Sequence, residues 1–218
     1  MPTDAGLLRL LTWLSPAFPT GAFGFSHGLE TVIREGAVHD VRSLTRWIAG
    51  LVEHGSAWSD AVLAKAAWTA VTAEDHAALD EVAELAEALS PSLERRRETL
   101  SQGEAFLTAV AAWNPPPILK AAYPVALGAA AGAAGLPLRP ALTAWLHAFA
   151  ANLVSVAVRA VPLGQSDALQ VLAALEPVIL RTAARAAEST LDDLGSASLV
   201  SDIASMRHET LDGRLFGS

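Results

Sequence analysis

Residues able to do chemistry gather at two places in the chain. Gly24-Phe25-Ser26-His27-Gly28 has the G-x-S-x-G spacing of the serine hydrolase nucleophile elbow. That elbow needs a buried strand running into a helix, with an acid and a histidine supplied later in the chain. The residues before Ser26 are rich in Pro and Gly and hold no β-branched run, so the context is missing. The same residues read better as a helix start. Ser26 is then an N-cap, Glu30 lies in the first turn where the helix dipole favours an anion, and His27 is polar packing beside them. At the other end, His208-Glu209-Thr210-Leu211-Asp212 falls one residue short of the zinc-protease pattern H-E-x-x-H. Asp212 can stand as a ligand at i+4, but no third ligand is evident and Gly213 breaks the helix just beyond. A serine- or metal-dependent hydrolase built on Ser26 and His27, or on His208 and Glu209, is therefore the second reading of function. A membrane-associated helical protein is the third.

The elements that position these residues are helical. Of 218 residues, 52% are apolar and 17% charged, too oily for disorder and rather oily for a solitary monomer. Ala abounds while Ile, Thr and Tyr are scarce, which favours helix over strand, and no segment alternates with period two. The fold class expected is all-α, a helical bundle over 1–195 followed by a tail over 196–218. The net charge of −8 gives no reason to seek nucleic acid or an anionic membrane. No cysteine is present, so there are no disulfides and no thiolate metal sites. The N-terminus has no basic segment followed by an apolar run and cleavage site, which predicts a cytoplasmic protein.

Along the chain, Gly6–Leu14 predicts a short helix leading into the loop Leu14–Glu30. Pro16, Pro19 and the glycines fix that loop's path, and Phe18, Phe23 and Phe25 require a core or a partner to cover them. A second helix is expected from Ser26 to Arg34, and a third capped by Asp40 with Leu44, Ile48, Leu51 and Val52 inward. A fourth starts at Ser56 with Trp58, Val62, Ala66 and Thr69 inward. A fifth starts near Asp75 with Leu79, Val82, Ala86 and Leu89 as its stripe. Arg95, Arg96 and Arg97 read as a solvated face, or else as a basic docking patch. The prolines at 115–117 are the best break between halves. Gly128 and Gly132, four apart, allow a close helix–helix approach. The run from Pro140 is long enough to span a membrane, but His147, Asn152, Ser155 and Arg159 argue for a buried bundle helix. Pro177 should kink or split the last long helix, and Thr190–Ser198 reads as a linker.

The final stretch, LVSDIASMRHETLDGRLFGS, is too apolar for a frayed end and reads as a tail that docks on something. Together with FPTGAFGFSHGLE near the start and PLGQSD at Pro162–Asp167, it resembles the UreF family of urease accessory proteins, in length and in order of segments. The resemblance implies an all-α, homodimeric, non-enzymatic cytoplasmic protein with no cofactor of its own. It implies binding to UreD (also called UreH), recruitment of the GTPase UreG, and delivery of nickel to apo-urease. The positions that match are Ser26, Gly28, Leu29 and Glu30 in the first motif, with His27 between them. In the tail they are Arg207, His208, Glu209, Arg214, Leu215 and Phe216. All are expected to serve partner binding, none to ligate a metal. Arg207 and Arg214 are candidates for steering UreG, each with an intrachain pair to Glu209 or Asp212 as the alternative. The family's association with a water-filled nickel passage makes His27, His54 and His147 candidate lining residues.

Overall fold

The computed structural model describes residues 2–21, 25–90, 92–113, 115–195, 199–208, 213, 215 and 216, with only the backbone for 94 and 199–202. Ten α-helices and one 3-10 turn at Leu191–Asp193 make up the regular structure of these residues, with no β-strand.

The architecture is built around one unusually close helix pair. Helix α4 (Ser56–Thr72) lies against α7 (Tyr123–Ala133), and small residues fill the contact from both sides. A Cβ at Gly128 would sit 2.1 Å from the Ala64 carbonyl oxygen, and one at Gly132 would sit 3.1 Å from that of Trp68. Nothing larger than glycine fits at 128, so the four-residue glycine spacing lets two helices of the fold approach closely, as its pattern suggests. Helix α7 is buried along nearly its whole length, and α4 turns Ala57, Ala61, Ala64 and Ala67 inward while Thr69 is exposed.

The remaining helices wrap this pair. Helix α8 (Leu138–Ala160) packs along α9 (Gln165–Ala187), and α3 (Val41–His54) covers α9 from the other side. Helix α5 (His76–Ala88) leans on α4, and α6 (Leu93–Val110) on α7. Helix α1 (Asp4–Trp13) lies against α8 at the edge. Helix α8 is long and apolar enough to cross a membrane by length and composition, but half of its most apolar window is buried inside the fold. Leu146, Phe149, Leu153 and Ala157 are among the core residues it contributes.

Local chemistry sets most boundaries. Asp40 accepts from the Ser43 N–H at 2.7 Å while Ser43 Oγ takes the Asp40 N–H, a reciprocal cap for α3. Asp75 caps α5, whose Leu79, Val82 and Ala86 are buried as expected. Leu89 is instead exposed, because α5 ends at Ala88 and the stripe stops with it. Pro177 does not split α9. It lies on the exposed face, and so does Ala173, whose carbonyl loses its helical donor.

Candidate functional site

The two odd stretches of the sequence meet in space. Helix α2 (Leu29–Arg34) follows the glycine-rich loop, and the tail helix α10 (Leu199–His208) packs directly on it. Glu30 is the joint. Its carboxylate is almost fully buried and accepts the backbone N–H of Leu215 at 2.9 Å and that of Phe216 at 3.1 Å. The Nε2 of His208, itself fully buried, lies 3.2 Å away, and Arg34 closes the remaining side at 2.6 Å. Arg34 also donates to the Gly213 carbonyl at 2.6 Å. Burial pushes the Glu30 carboxyl up. The Leu215 N–H, His208, the Phe216 N–H and Arg34 together outweigh that and hold it below the usual carboxylate range. Thr31 adds a hydrogen bond to the Ala204 carbonyl at 3.2 Å.

The tail is thereby divided into two faces. Ala204, Ser205, His208 and Phe216 turn inward, and the Phe216 ring lies under the Arg159 guanidinium at 4.6 Å. Ile203, Met206 and Leu215 turn outward, with 47%, 50% and 69% of their surface in water. Arg207 is exposed and bridges to Glu35 at 3.3 Å. Glu209, Asp212 and Arg214 lie outside the described residues.

The loop departs from its expected form. Ser26 is not the cap of α2. His27 and Gly28 both take left-handed backbone, with φ of +50° and +74°, and the helix starts at Leu29 with Gly28 as N-cap. Two such residues in succession turn the Ser26 hydroxyl inward, where it is fully buried with no hydrogen-bond partner among the described residues. A Cβ on Gly28 would meet the Ser205 nitrogen at 2.9 Å and the Ala204 Cβ at 3.0 Å, so only glycine lets α10 come this close. Phe18 is pinned by Phe106 and Trp113, with ring centroids 5.6 and 6.3 Å away. Phe23 and Gly24 lie outside the described residues.

His27 points the other way, into the body. Its Nε2 faces Glu98 at 3.3 Å. Glu98 in turn meets Arg95 at 2.7 Å, and Arg95 meets Asp60 at 2.8 Å. Arg95 is thus no part of a solvated face: only Arg96 and Arg97 of the three arginines are exposed, and Arg96 pairs with Glu87. Burial drives the His27 pKa well below its ordinary value, helped by Arg95, so the ring is neutral. Burial also raises Asp60 and Glu98, against the pull of Arg95. Arg95 is raised by its two carboxylates, which outweigh its own burial. These groups and His147 border a cavity of about 430 Å³ under the loop, whereas His54 does not. Sequence reasoning missed this network. The available signal was Asp60 at a buried register of the alanine face of α4, and Glu98 and Gln102 on the same side of α6 as Phe106.

The serine hydrolase reading does not fit this geometry. The Ser26 hydroxyl is sealed from solvent and His27 is committed to Glu98, so no base activates that serine. Of the metal reading, His208 lies against Glu30 in the interior, while Glu209 and Asp212 lie outside the described residues; among those described, no group of three or more metal-ligating side chains occurs.

Comparison with known proteins agrees with a helper role. A family model described as UreF matches residues 38–176, from just before α3 into the middle of α9. Full-length relatives extend the likeness to the loop and the tail. A urease accessory protein UreF of Mesorhizobium japonicum is 51% identical, covering 100% of this chain and 98% of its own. That of Brucella ovis is 50% identical over 100% and 96%, and that of Agrobacterium fabrum 50% over 98% and 97%. With a body that matches the family model and a loop and tail shared at full length with these relatives, the chain belongs to the UreF family, the non-catalytic accessory proteins of urease.

Proposed function

We infer that the chain is a helical scaffold in cytoplasmic urease maturation. It docks UreD/UreH through its tail and with it recruits the GTPase UreG to apo-urease, with nickel as the cargo of the assembly. The observation that carries this reading is the two-faced tail. Its inner face is fastened to Glu30, which orders the segment, and its outer face offers Ile203, Met206 and Leu215 to a partner. An apolar face ordered in advance binds without bearing the full entropic cost of folding on contact. Arg207, which bridges to Glu35 beside that face, is proposed to recognise carboxylates of a partner, and Arg214 retains the same expected role.

A second copy is the proposed occupant of another apolar face. Leu7 and Leu11 of α1, with Leu180 of α9, line an exposed groove that also carries Arg139 and Glu176. Two copies related by a two-fold axis can offer each other these opposite charges across the same patch. Sedimentation of the isolated chain tests this: a dimer at micromolar concentration is expected, and a monomer both alone and with UreD contradicts it.

The tail is tested by deleting residues 199–218 and co-purifying with UreD and UreG, followed by urease activation in a strain lacking the gene. The truncated body is expected to stay helical and soluble and to lose UreD, UreG and activation together. Retention of UreD at parental affinity overturns the reading, as does truncation that unfolds the body.

A further inference from the structure

The buried ion network reaches the tail through two residues. A histidine keeps a φ of +50° only where its surroundings hold it, and His27 is held on three sides. Its Nε2 faces Glu98 at 3.3 Å, its ring stands edge-on to Phe149 at 4.9 Å, and the Leu29 N–H closes the turn onto the Ser26 carbonyl at 2.9 Å. Glu98 is held in turn by Arg95 at 2.7 Å and by the Gln102 amide at 3.0 Å. One guanidinium serves two buried carboxylates, since Arg95 also meets Asp60. Buried ionic groups of this kind add little net stability compared with apolar residues of the same shape, and their best-attested use is to fix one arrangement. What is fixed here is the placing of Gly28, whose bare α-carbon is the surface on which Ala204 and Ser205 rest.

We propose that Glu98 is the positioning residue for the tail: through His27 it sets the left-handed turn on which Gly28 seats α10. The network thereby decides whether the tail docks in a single place or drifts. This deepens the proposed function, because it names what presents the docking face, yet it is measured on the isolated chain. A failed exchange test therefore leaves partner docking untouched, and the reverse also holds.

The experiment is amide hydrogen exchange by mass spectrometry on the full chain, comparing peptides of α10 with peptides of α4 and α7. Glu98→Leu and His27→Phe are each expected to speed exchange in α10 at least tenfold, with α4 and α7 at parental rates. Glu98→Gln keeps an oxygen for His27 and is expected to hold α10 within about twofold of the parent. Arg96→Ala, on the outer face of the same helix turn, is expected to change nothing. The proposal is overturned if α10 exchanges at the parental rate in His27→Phe, if Glu98→Gln loosens it as much as Glu98→Leu, or if loosening spreads equally to α4 and α7. Should Glu98→Leu fail to fold, His27→Phe decides alone, because it leaves Glu98 with both Arg95 and Gln102.

Discussion

Replacing Glu30 by Ala removes the acceptor on which the tail hangs. The loss is unequal among its partners. The Phe216 N–H is buried and has no water to turn to, so its charge-assisted bond of about 1.5–3 kcal/mol is lost outright. The His208 ring, fully buried, loses its contact with the carboxylate at a cost of roughly 1–3 kcal/mol. Leu215 is exposed and its N–H can be rehydrated, while Arg34 is partly in water and contributes at most about 1 kcal/mol. These losses overlap, and about 3 kcal/mol is expected on tail docking, roughly a hundredfold in the ratio of docked to free tail. The body should hardly notice, since α3 to α9 take their stability from contacts that Glu30 does not touch. Amide exchange in α10 should therefore rise about a hundredfold while the main melting transition moves little. Parental exchange in α10 would refute the reasoning, and so would a melting transition that collapses together with the tail.

Other perturbations follow from the same geometry. Gly28→Val puts a β-branched residue at φ +74° with its Cβ 2.9 Å from the Ser205 nitrogen, and should free α10 while costing about 2 kcal/mol or more in thermal melts. Gly128→Ala drives a methyl to 2.1 Å from the Ala64 oxygen and must part α4 from α7. About 3 kcal/mol is expected, or roughly 6–12 °C in melting temperature. Glu30 and His27 give distinct pH windows. Glu30 titrates below its ordinary 4.5 when folded, so its contribution to docking is complete above that pH and is lost as pH falls through the lowered value. His27 is held neutral well below its ordinary 6.5, so the unfolded chain takes up that proton first and stability declines as pH drops below 6.5. Stability curves of parent and His27→Phe should differ in slope below about pH 6.5, while α10 exchange, corrected for intrinsic rate, should loosen only below about pH 4.5.

How much of this was legible in the sequence depended on the range of the interaction. Asp40 and Asp75 as caps, and Leu79, Val82 and Ala86 as a buried stripe, are decided within one or two helical turns, and the sequence carries them openly. Gly128 and Gly132 were legible as a pair because close approach demands that spacing, although their partner, the backbone of α4, was not. Ser26 was misread because a cap pattern is local, whereas the left-handed turn at His27 is imposed by Glu98 from another helix. Arg95 was misread for a related reason. Three adjacent arginines look alike in sequence, and only the fold shows that one of them faces Asp60 across the interior. The contact between Glu30 and Leu215 joins residues 185 apart, and nothing near either one announces it. What sequence did provide was the resemblance, which singled out both ends of that contact without linking them.

The central claim is that the outward face of the tail receives UreD, and one surface substitution tests it most directly. Met206 is half exposed, packs on neither Glu30 nor His208 in the contacts described, and lies between Ile203 and Arg207 on α10. Met206→Asp places a charge at the middle of the docking face without touching the inner one. Burial of a large apolar side chain is worth roughly 1.5–3 kcal/mol, and a carboxylate in its place costs more, so at least a tenfold loss in affinity is expected. The measurement is the dissociation constant of the purified variant for UreD, read beside its melting temperature and its α10 exchange. The account predicts weaker binding by tenfold or more with melting and exchange as in the parent. Parental affinity for UreD in a variant that carries that charge would contradict it.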